Sequence, residues 1–352
     1  MTVYAQWGFK MNVLSLFDGM SCGQIALDQL GINVDNYYAA EIDKYAVQVA
    51  KNNYPNTKHL GDVTELKGED LPKIDLLIGG SPCQGFSFAG KQLNFDDPRS
   101  ALFFEFVRLL KETKPKYFML ENVRMKQEYQ DIISDHLGVK PIMINSALMS
   151  AQNRVRLYWT NIPNVTQPED KDIVLKDVLE DVFVEPMNDE QIESAKKNCQ
   201  AKKFKTGNSR GPMSFYRDVQ KKSLCLVTSC GSVTNRTSNR IQVESIQKVL
   251  IANPSATKKE KSYALTASYS GAVAWNSIQR KQRTMVPVCQ SEETDPNIVD
   301  GYYYRKLTPV ECERLQTVPD HYTDCVSNSQ RYKMLGNGWT VDVIAHIFKG
   351  IK

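Results

Sequence analysis

The sequence predicts an α/β protein built on a Rossmann-like sheet, and three observations carry that prediction. Residues 12–17 are a short apolar run that breaks at Asp18-Gly19-Met20-Ser21-Cys22-Gly23, after which residues 24–30 take helical spacing and Gly31 ends them; strand, glycine turn and helix in that order open a doubly wound sheet. Residues 36–40 and 43–53 repeat the alternation of strand and helix. Residues 74–78 form a further apolar run cut off by Gly79 and Gly80, as burial of a strand on both faces of a sheet requires.

Composition sets the outer bounds. At 352 residues and 41% hydrophobic content the chain has room for about two ordinary globular domains. It contains no run of 18 or more apolar residues and no apolar leader in residues 1–10, so an intracellular, cytoplasmic protein that does not meet a membrane is expected. Eight cysteines without a Cys-x-x-Cys pair, beside only four histidines, argue for reduced thiols and against a structural zinc site; no metal is expected. The net charge of +4 is unevenly spread. Residues 199–283 hold 16 Lys or Arg against three acids, a balance of +13, which leaves −9 for the rest of the chain. A basic module beside an acidic one points to a polyanion, because cationic side chains displace the counterions condensed on phosphates.

The glycine turn at 18–23 brings backbone N–H groups and a helix N-terminus towards a ligand, the device that binds nucleotides in such folds. Its spacing is not Gly-x-Gly-x-x-Gly, which argues against a dinucleotide and for another adenosine-containing ligand. The second strand ends at Glu41, where an acid that grips ribose hydroxyls belongs, and residues 60–63 close a third unit carrying Asp62. Each acid alone reads equally well as a helix N-cap.

Cys83 stands just past the strand at 74–78, in Gly79-Gly80-Ser81-Pro82-Cys83-Gln84-Gly85-Phe86-Ser87. Ligands bind at that edge of an open α/β sheet and Pro82 fixes the backbone before the thiol, as the placing of a nucleophile requires, although position alone fits a structural cysteine in a loop better. Residues 85–98 read as a loop. Residues 99–112 read as an amphipathic helix with Leu102, Phe103, Phe106, Leu109 and Leu110 inward, and the strand at 117–120 delivers Glu121-Asn122-Val123. In residues 151–159, read as one strand, alternation puts Arg154 and Arg156 on one face, where each needs an anionic or acceptor partner.

Ser-Pro-Cys-Gln, Gly-Phe-Ser, Glu-Asn-Val and Gln152-Asn153-Arg154-Val155-Arg156, in this order, resemble the catalytic motifs of the DNA cytosine-5 methyltransferases. The resemblance runs from Asn12 to Lys352 and implies a class I S-adenosylmethionine-dependent fold with a smaller, basic target-recognition domain inserted before the C-terminal helix. The corresponding segments are 12–187 for the first part of the catalytic domain, 188–300 for target recognition and 301–352 for the return. For catalysis it implies Cys83, Gln84, Ser87, Glu121, Arg154 and Arg156. For S-adenosylmethionine, with S-adenosylhomocysteine as product, it implies Phe17, Asp18, Gly19, Ser21, Gly23, Glu41, Ile42, Asp62, Val63, Pro82 and Leu102, and, from the late Gly336-Asn337-Gly338, Asn337 and Gly338. Phe17 would pack on the cofactor, Glu41 bind the ribose and Asp62 the adenine amine.

Two motifs depart from the bacterial form: Phe17-Asp18-Gly19-Met20-Ser21-Cys22-Gly23 and Ser81-Pro82-Cys83 are closer to the animal de novo branch, whereas the long basic segment looks bacterial or phage-like. Within that segment Thr266 matches a strand that supports the target phosphate, and Arg236, Arg240, Arg280 and Arg283 are candidates for DNA contact. Thr308-Pro309-Val310-Glu311 spells a capping box that opens a helix, Gly336-Asn337-Gly338 reads as a backbone turn, and a helix runs on through Phe348.

The implied activity is methylation of cytosine C5 in duplex DNA by a monomer, with Cys83 adding to C6 and the base flipped out of the helix. A tRNA cytosine methyltransferase would share the same site. A non-catalytic DNA-binding protein of this fold would have lost Cys83, Glu121 or the Phe17 and Glu41 pair, and all are present.

Overall fold

A computed structural model describes residues 11–81, 98–180, 262–263, 286–290, 298–299, 302–305 and 307–351. Pro82, Cys83, Gln84, Ser87, Thr266, Arg236, Arg240, Arg280 and Arg283 lie outside the described residues.

Apolar runs make the central strands. β1 (Met11–Leu16), β2 (Val34–Ala40), β4 (Leu76–Gly79) and β5 (Tyr117–Val123) are nearly or wholly buried at their carboxyl halves. With the short β3 (Lys58–His59), β6 (Ile142–Asn145) and β8 (Val155–Thr160) they form a seven-stranded sheet in the order β3-β2-β1-β4-β5-β8-β6. Every pairing from β3 to β5 is parallel, while β8 runs antiparallel to both β5 and β6. The parallel run β3-β2-β1-β4-β5 has the order of a Rossmann-like doubly wound sheet, as the alternation of strand and helix predicts.

Helices α1 (Cys22–Gln29), α2 (Lys44–Asn53), α3 (Pro98–Thr113) and α4 (Gln127–Leu137) follow β1, β2, β4 and β5. Phe103, Phe106 and Leu109 of α3, Ile133 of α4 and Trp159 of β8 join Leu14, Leu16, Leu77 and Leu120 in the main core, with Leu102 and Leu110 packed partly buried against it. Asp43 caps α2 by accepting from Tyr45 N at 3.0 Å. Gly138, at φ 70°, closes α4 in the left-handed conformation that favours glycine.

The described residues divide into two units. Met1–Asn145, Val155–Pro168 and Trp339–Lys352 hold the sheet, and Ser146–Arg154 and Glu169–Gly338 form the second. The second unit contains β7 (Gln152–Asn153) paired with β9 (Ser262–Tyr263), and an antiparallel trio β10 (Val286–Gln290), β12 (Tyr302–Arg305) and β11 (Ile298–Val299). It also contains α5 (Pro309–Leu315) and α6 (Asn328–Asn337). The capping box is formed: Thr308 accepts from Glu311 N at 3.1 Å and Glu311 accepts from Thr308 N at 2.8 Å. The last helix, α7 (Val341–Phe348), belongs to the first unit and is apolar along most of its length. Among the described residues no helix is long and apolar enough to cross a membrane.

Two local expectations are corrected. Gly336 and Asn337 are not a turn but the last residues of α6, with Gly338 as its cap, because the helix hydrogen bonding continues to Gly338 N on Met334 O at 2.7 Å. Residues 151–159 are not one strand: β7 ends at Asn153 and β8 begins at Val155, so Arg154 falls in the break and strand alternation does not tie it to Arg156.

Candidate active site

The carboxyl ends of β1, β2, β4 and β5 lie along one edge of the sheet, because those strands are parallel and adjacent. That edge receives the turn after β1, Glu41 after β2, Gly80-Ser81 after β4 and, from within β5 itself, Glu121.

The turn after β1 is held in an unusual backbone. Phe17, Gly19 and Ser21 have φ of 57°, 60° and 66°; a left-handed residue other than glycine costs about 1–2 kcal/mol and persists only where its surroundings hold it. Asp18 supplies the hold. Its N–H donates to Ala40 O at 3.2 Å, its Oδ1 accepts from Tyr37 Oη at 2.8 Å, and its Oδ2 accepts from Ser21 Oγ. Burial pushes the Asp18 carboxyl up to about 6, against hydrogen bonds from Ser21 and Tyr37 and with a contribution from the charge of Glu41. Asp18 is thus the internal brace of the turn.

Glu41 joins that turn to the end of β2. Its Oε2 accepts from Gly19 N at 2.8 Å and its Oε1 from Ile42 N at 2.9 Å and Asp43 N at 2.8 Å. Next to it Ile42 is 74% exposed, an apolar face open at the sheet edge where a flat ring could lie. Gly23 works by having no side chain: a Cβ there would stand 2.8 Å from Tyr37 Oη and closer still to Ile78 Cδ1, so α1 packs tightly on the sheet. Asp62 caps the short helical turn Val63–Glu65, its Oδ1 accepting from Thr64 N and Thr64 Oγ1, both at 2.9 Å. Those bonds hold its carboxyl below the usual range. Val63 is buried in the core, which leaves its main chain as what it can offer a ligand.

Glu121, 8% exposed, has both carboxylate oxygens engaged. Arg156 Nε lies 2.9 Å from Oε1, and Trp339 Nε1 donates to Oε2 at 3.1 Å. Gly80 makes the room, since a Cβ on it would lie 2.8 Å from Trp339 Nε1 and 3.2 Å from Glu121 Oε2. The structure also links the two short motifs on either side of this point: Asn122 Nδ2 donates to Ser81 Oγ at 3.2 Å.

Arg154, by contrast, is 3% exposed in the second unit and donates to Gly336 O at 3.2 Å and Gly338 O at 2.9 Å, the last carbonyls of α6. Gln316 Nε2 reaches Leu335 O at 2.6 Å, and Gln152 Nε2 donates to Gln316 Oε1 at 2.8 Å. Asn337 and Gly338, expected at the cofactor, belong to this same helix end.

Sequence reasoning missed Gly80 and Trp339. A tryptophan at the entry to an apolar helix reads as core, and no spacing rule ties residue 339 to residue 121.

The model of the family described as C-5 cytosine-specific DNA methylase matches residues 11–352. The chain belongs to that family. The methyltransferase is 28% identical over 431 residues to the orphan methyltransferase M.SPRI of Bacillus phage SPR, with 97% of each chain covered. It is 25% identical over 358 residues to the type II methyltransferase M.HhaI of Haemophilus parahaemolyticus, covering 96% of this chain and 93% of that one. Its fold is that of Entamoeba histolytica methyltransferase EhMeth, at a TM-score of 0.64 and 15% identity, and of S. pombe Dnmt2 methyltransferase, at 0.57 and 17%. The alignments cover 97% of this chain and 99% of EhMeth, and 96% of this chain and 97% of Dnmt2. As a DNA cytosine-5 methyltransferase it must hold a pyrimidine ring and a methyl donor at one place, and the sheet edge brings Glu121 and the β1 turn to the same side of the protein.

Proposed function

We propose that this enzyme transfers a methyl group from S-adenosylmethionine to C5 of cytosine at specific duplex DNA sites, through a covalent bond between Cys83 Sγ and C6 of a flipped-out base. The observation that carries the reading is the fixed carboxylate of Glu121, held by Arg156 at the carboxyl end of β5 and one hydrogen bond, Asn122 to Ser81, from the Ser-Pro-Cys motif.

The left-handed turn 17–21, the Glu41 carboxylate at the end of β2 and the exposed Ile42 fit the amino-acid, ribose and adenine parts of S-adenosylmethionine. Phe17, Gly19, Ser21, Glu41, Ile42, Asp62 and the main chain of Val63 would hold it, with Pro82 and Leu102 alongside. When bound, the cofactor supplies an electrophilic methyl group. Cytosine C5 is a weak nucleophile, so the Cys83 thiolate first adds to C6 and moves electron density to C5. Glu121, as the carboxylic acid, shares its proton with N3 as the C6–S bond forms and accepts from the exocyclic amine, while Arg156 meets O2. Once C5 carries the methyl group, loss of the C5 proton and departure of Cys83 Sγ from C6 restore the aromatic ring and the free enzyme. Gln84 and Ser87, from the same motif as Cys83, would act beside it on the base. None of these atoms is reachable in a stacked duplex, so the base leaves the helix. The basic segment 188–300, with Thr266, Arg236, Arg240, Arg280 and Arg283, would carry the DNA contacts.

The test is duplex DNA with 5-fluorocytosine in place of cytosine, since fluorine at C5 blocks the final elimination. The native enzyme should form a denaturant-stable adduct that Cys83→Ser cannot form; a native enzyme without an adduct refutes the covalent reading.

A further inference from the structure

Trp339 sits where three pieces of the sheet edge meet, all within the first unit. Its indole Nε1 donates to Glu121 Oε2 at 3.1 Å, and its carbonyl oxygen accepts from Cys22 Sγ at 3.7 Å. A Cβ on Gly80 would stand 2.8 Å from Nε1, and one on Gly23 3.8 Å from ring carbon Cζ3. The side chain is 8% exposed. Its N–H is therefore withdrawn from water and spent on one carboxylate oxygen. A buried indole N–H needs an acceptor, and the acceptor it has here is the Glu121 carboxylate.

We infer that Trp339 is a positioning residue for Glu121, fixing the carboxylate jointly with Arg156; this rests on the proposed role of Glu121 at the target base. The terminal torsion of a glutamate is broad, so a carboxylate held at one oxygen swings about that contact. Here Oε1 is held from β8 by Arg156 and Oε2 from the entry to α7 by Trp339, and two donors on separate elements fix the plane. The free sides of the two oxygens then face one direction, so that one can carry the proton shared with N3 while the other accepts from the exocyclic amine of the same ring. Glycine at position 80 completes the arrangement, because any side chain there would occupy the space between indole and carboxylate.

The test separates the N–H from the ring. Replacing Trp339 by benzothienylalanine keeps the fused ring and removes the donor, and Trp339→Phe is the genetically simpler version. Single-turnover methylation of duplex DNA at saturating S-adenosylmethionine is measured for each, for Glu121→Gln, and for each substitution combined with Glu121→Gln. Loss of one hydrogen bond to a charged group predicts a fall of about 10- to 100-fold for the benzothienyl enzyme, with the dissociation constant of S-adenosylmethionine within about threefold of native. Added to Glu121→Gln, the same replacement should cost less than about twofold more, because the group it acts through has already been altered. A benzothienyl enzyme that methylates at the native rate overturns the inference, and so do penalties that simply multiply in the double variant, the behaviour of a residue that only supports the fold. If Glu121→Gln itself methylates at the native rate, the reading of Glu121 fails first and this inference falls with it.

Discussion

Arg156 and Glu121 meet diagonally across two antiparallel strands, guanidinium Nε to carboxylate Oε1 at 2.9 Å, with their side chains 15% and 11% exposed. The register explains the meeting: β8 pairs Tyr158 with Glu121 and Arg156 with Val123, so the arginine is two residues along from the directly opposed position, within reach of a long side chain. Arg156→Lys would keep the positive charge and lose the planar guanidinium. The expected outcome is a stability loss of about 1 kcal/mol together with a fall of roughly 10- to 100-fold in single-turnover methylation, S-adenosylmethionine binding being unchanged. Urea denaturation and rapid-quench kinetics read the two effects separately, and a lysine enzyme with native kinetics would remove Arg156 from the chemistry.

Asp18 predicts a pH dependence of stability. Its carboxyl titrates near 6 in the folded protein and near 3.9 in an unfolded chain, so the native state holds the proton more tightly. The stability this confers is fully present below the unfolded value and is lost as pH rises through about 6. Above that, the buried charge costs on the order of 3 kcal/mol relative to the protonated acid. Asp18→Asn has no proton to lose. Its stability relative to the native enzyme should therefore rise by up to about 3 kcal/mol between pH 4 and pH 7.5, as followed by urea denaturation. A difference that stays constant over that interval would show that Asp18 does not titrate there.

The parts of this protein legible in the sequence are those set by neighbours in the chain. Thr308, Pro309 and Glu311 specify the start of α5 among themselves, and the unbroken apolar runs of β1 and β4 admit little but buried strands. α4 carries a weaker local signature: Lys126 offers no capping side chain, although Tyr129, Ile133 and Leu137 recur at helical spacing on its buried side. At the site, Glu121 and Arg156 could be picked out by their motifs, but their pairing could not, since it depends on where β8 inserts in the sheet. Gly336 and Asn337 look like turn residues and are helical because Arg154 and Gln316, distant in sequence, satisfy the carbonyls at that end.

Gly80→Ala tests how closely the site is packed. The added methyl would sit 2.8 Å from Trp339 Nε1 and 3.2 Å from Glu121 Oε2, and both neighbours are ring or carboxylate atoms held by their own partners. Relief requires the indole or the carboxylate to move by several tenths of an ångström. Displacements of that order around a reacting group cost up to about 100-fold in rate, whereas the overpacking itself should cost about 1–3 kcal/mol in stability. The alanine enzyme should therefore remain folded at 25 °C and lose most of its methylation. Native turnover would mean that the Glu121 carboxylate tolerates displacement.

Arg154 should behave in the opposite way to Arg156, two residues further on. Its guanidinium is buried and donates to Gly336 O and Gly338 O, so its removal takes a donor from the buried Gly336 O and leaves Gly338 O to Gln316 Nε2 at 3.2 Å. Arg154→Leu is accordingly expected to lower the unfolding free energy by about 2–4 kcal/mol, an unpaired buried carbonyl costing about 1–3 kcal/mol and the network with Gln316 adding to it. Whatever methylation is lost should track the folded fraction, so that at a temperature well below the lowered midpoint the variant works at a rate near native. Denaturation curves and single-turnover rates taken at the same two temperatures decide the matter. A variant as stable as the native enzyme yet catalytically dead would place Arg154 with the reacting groups and remove it from the support of α6.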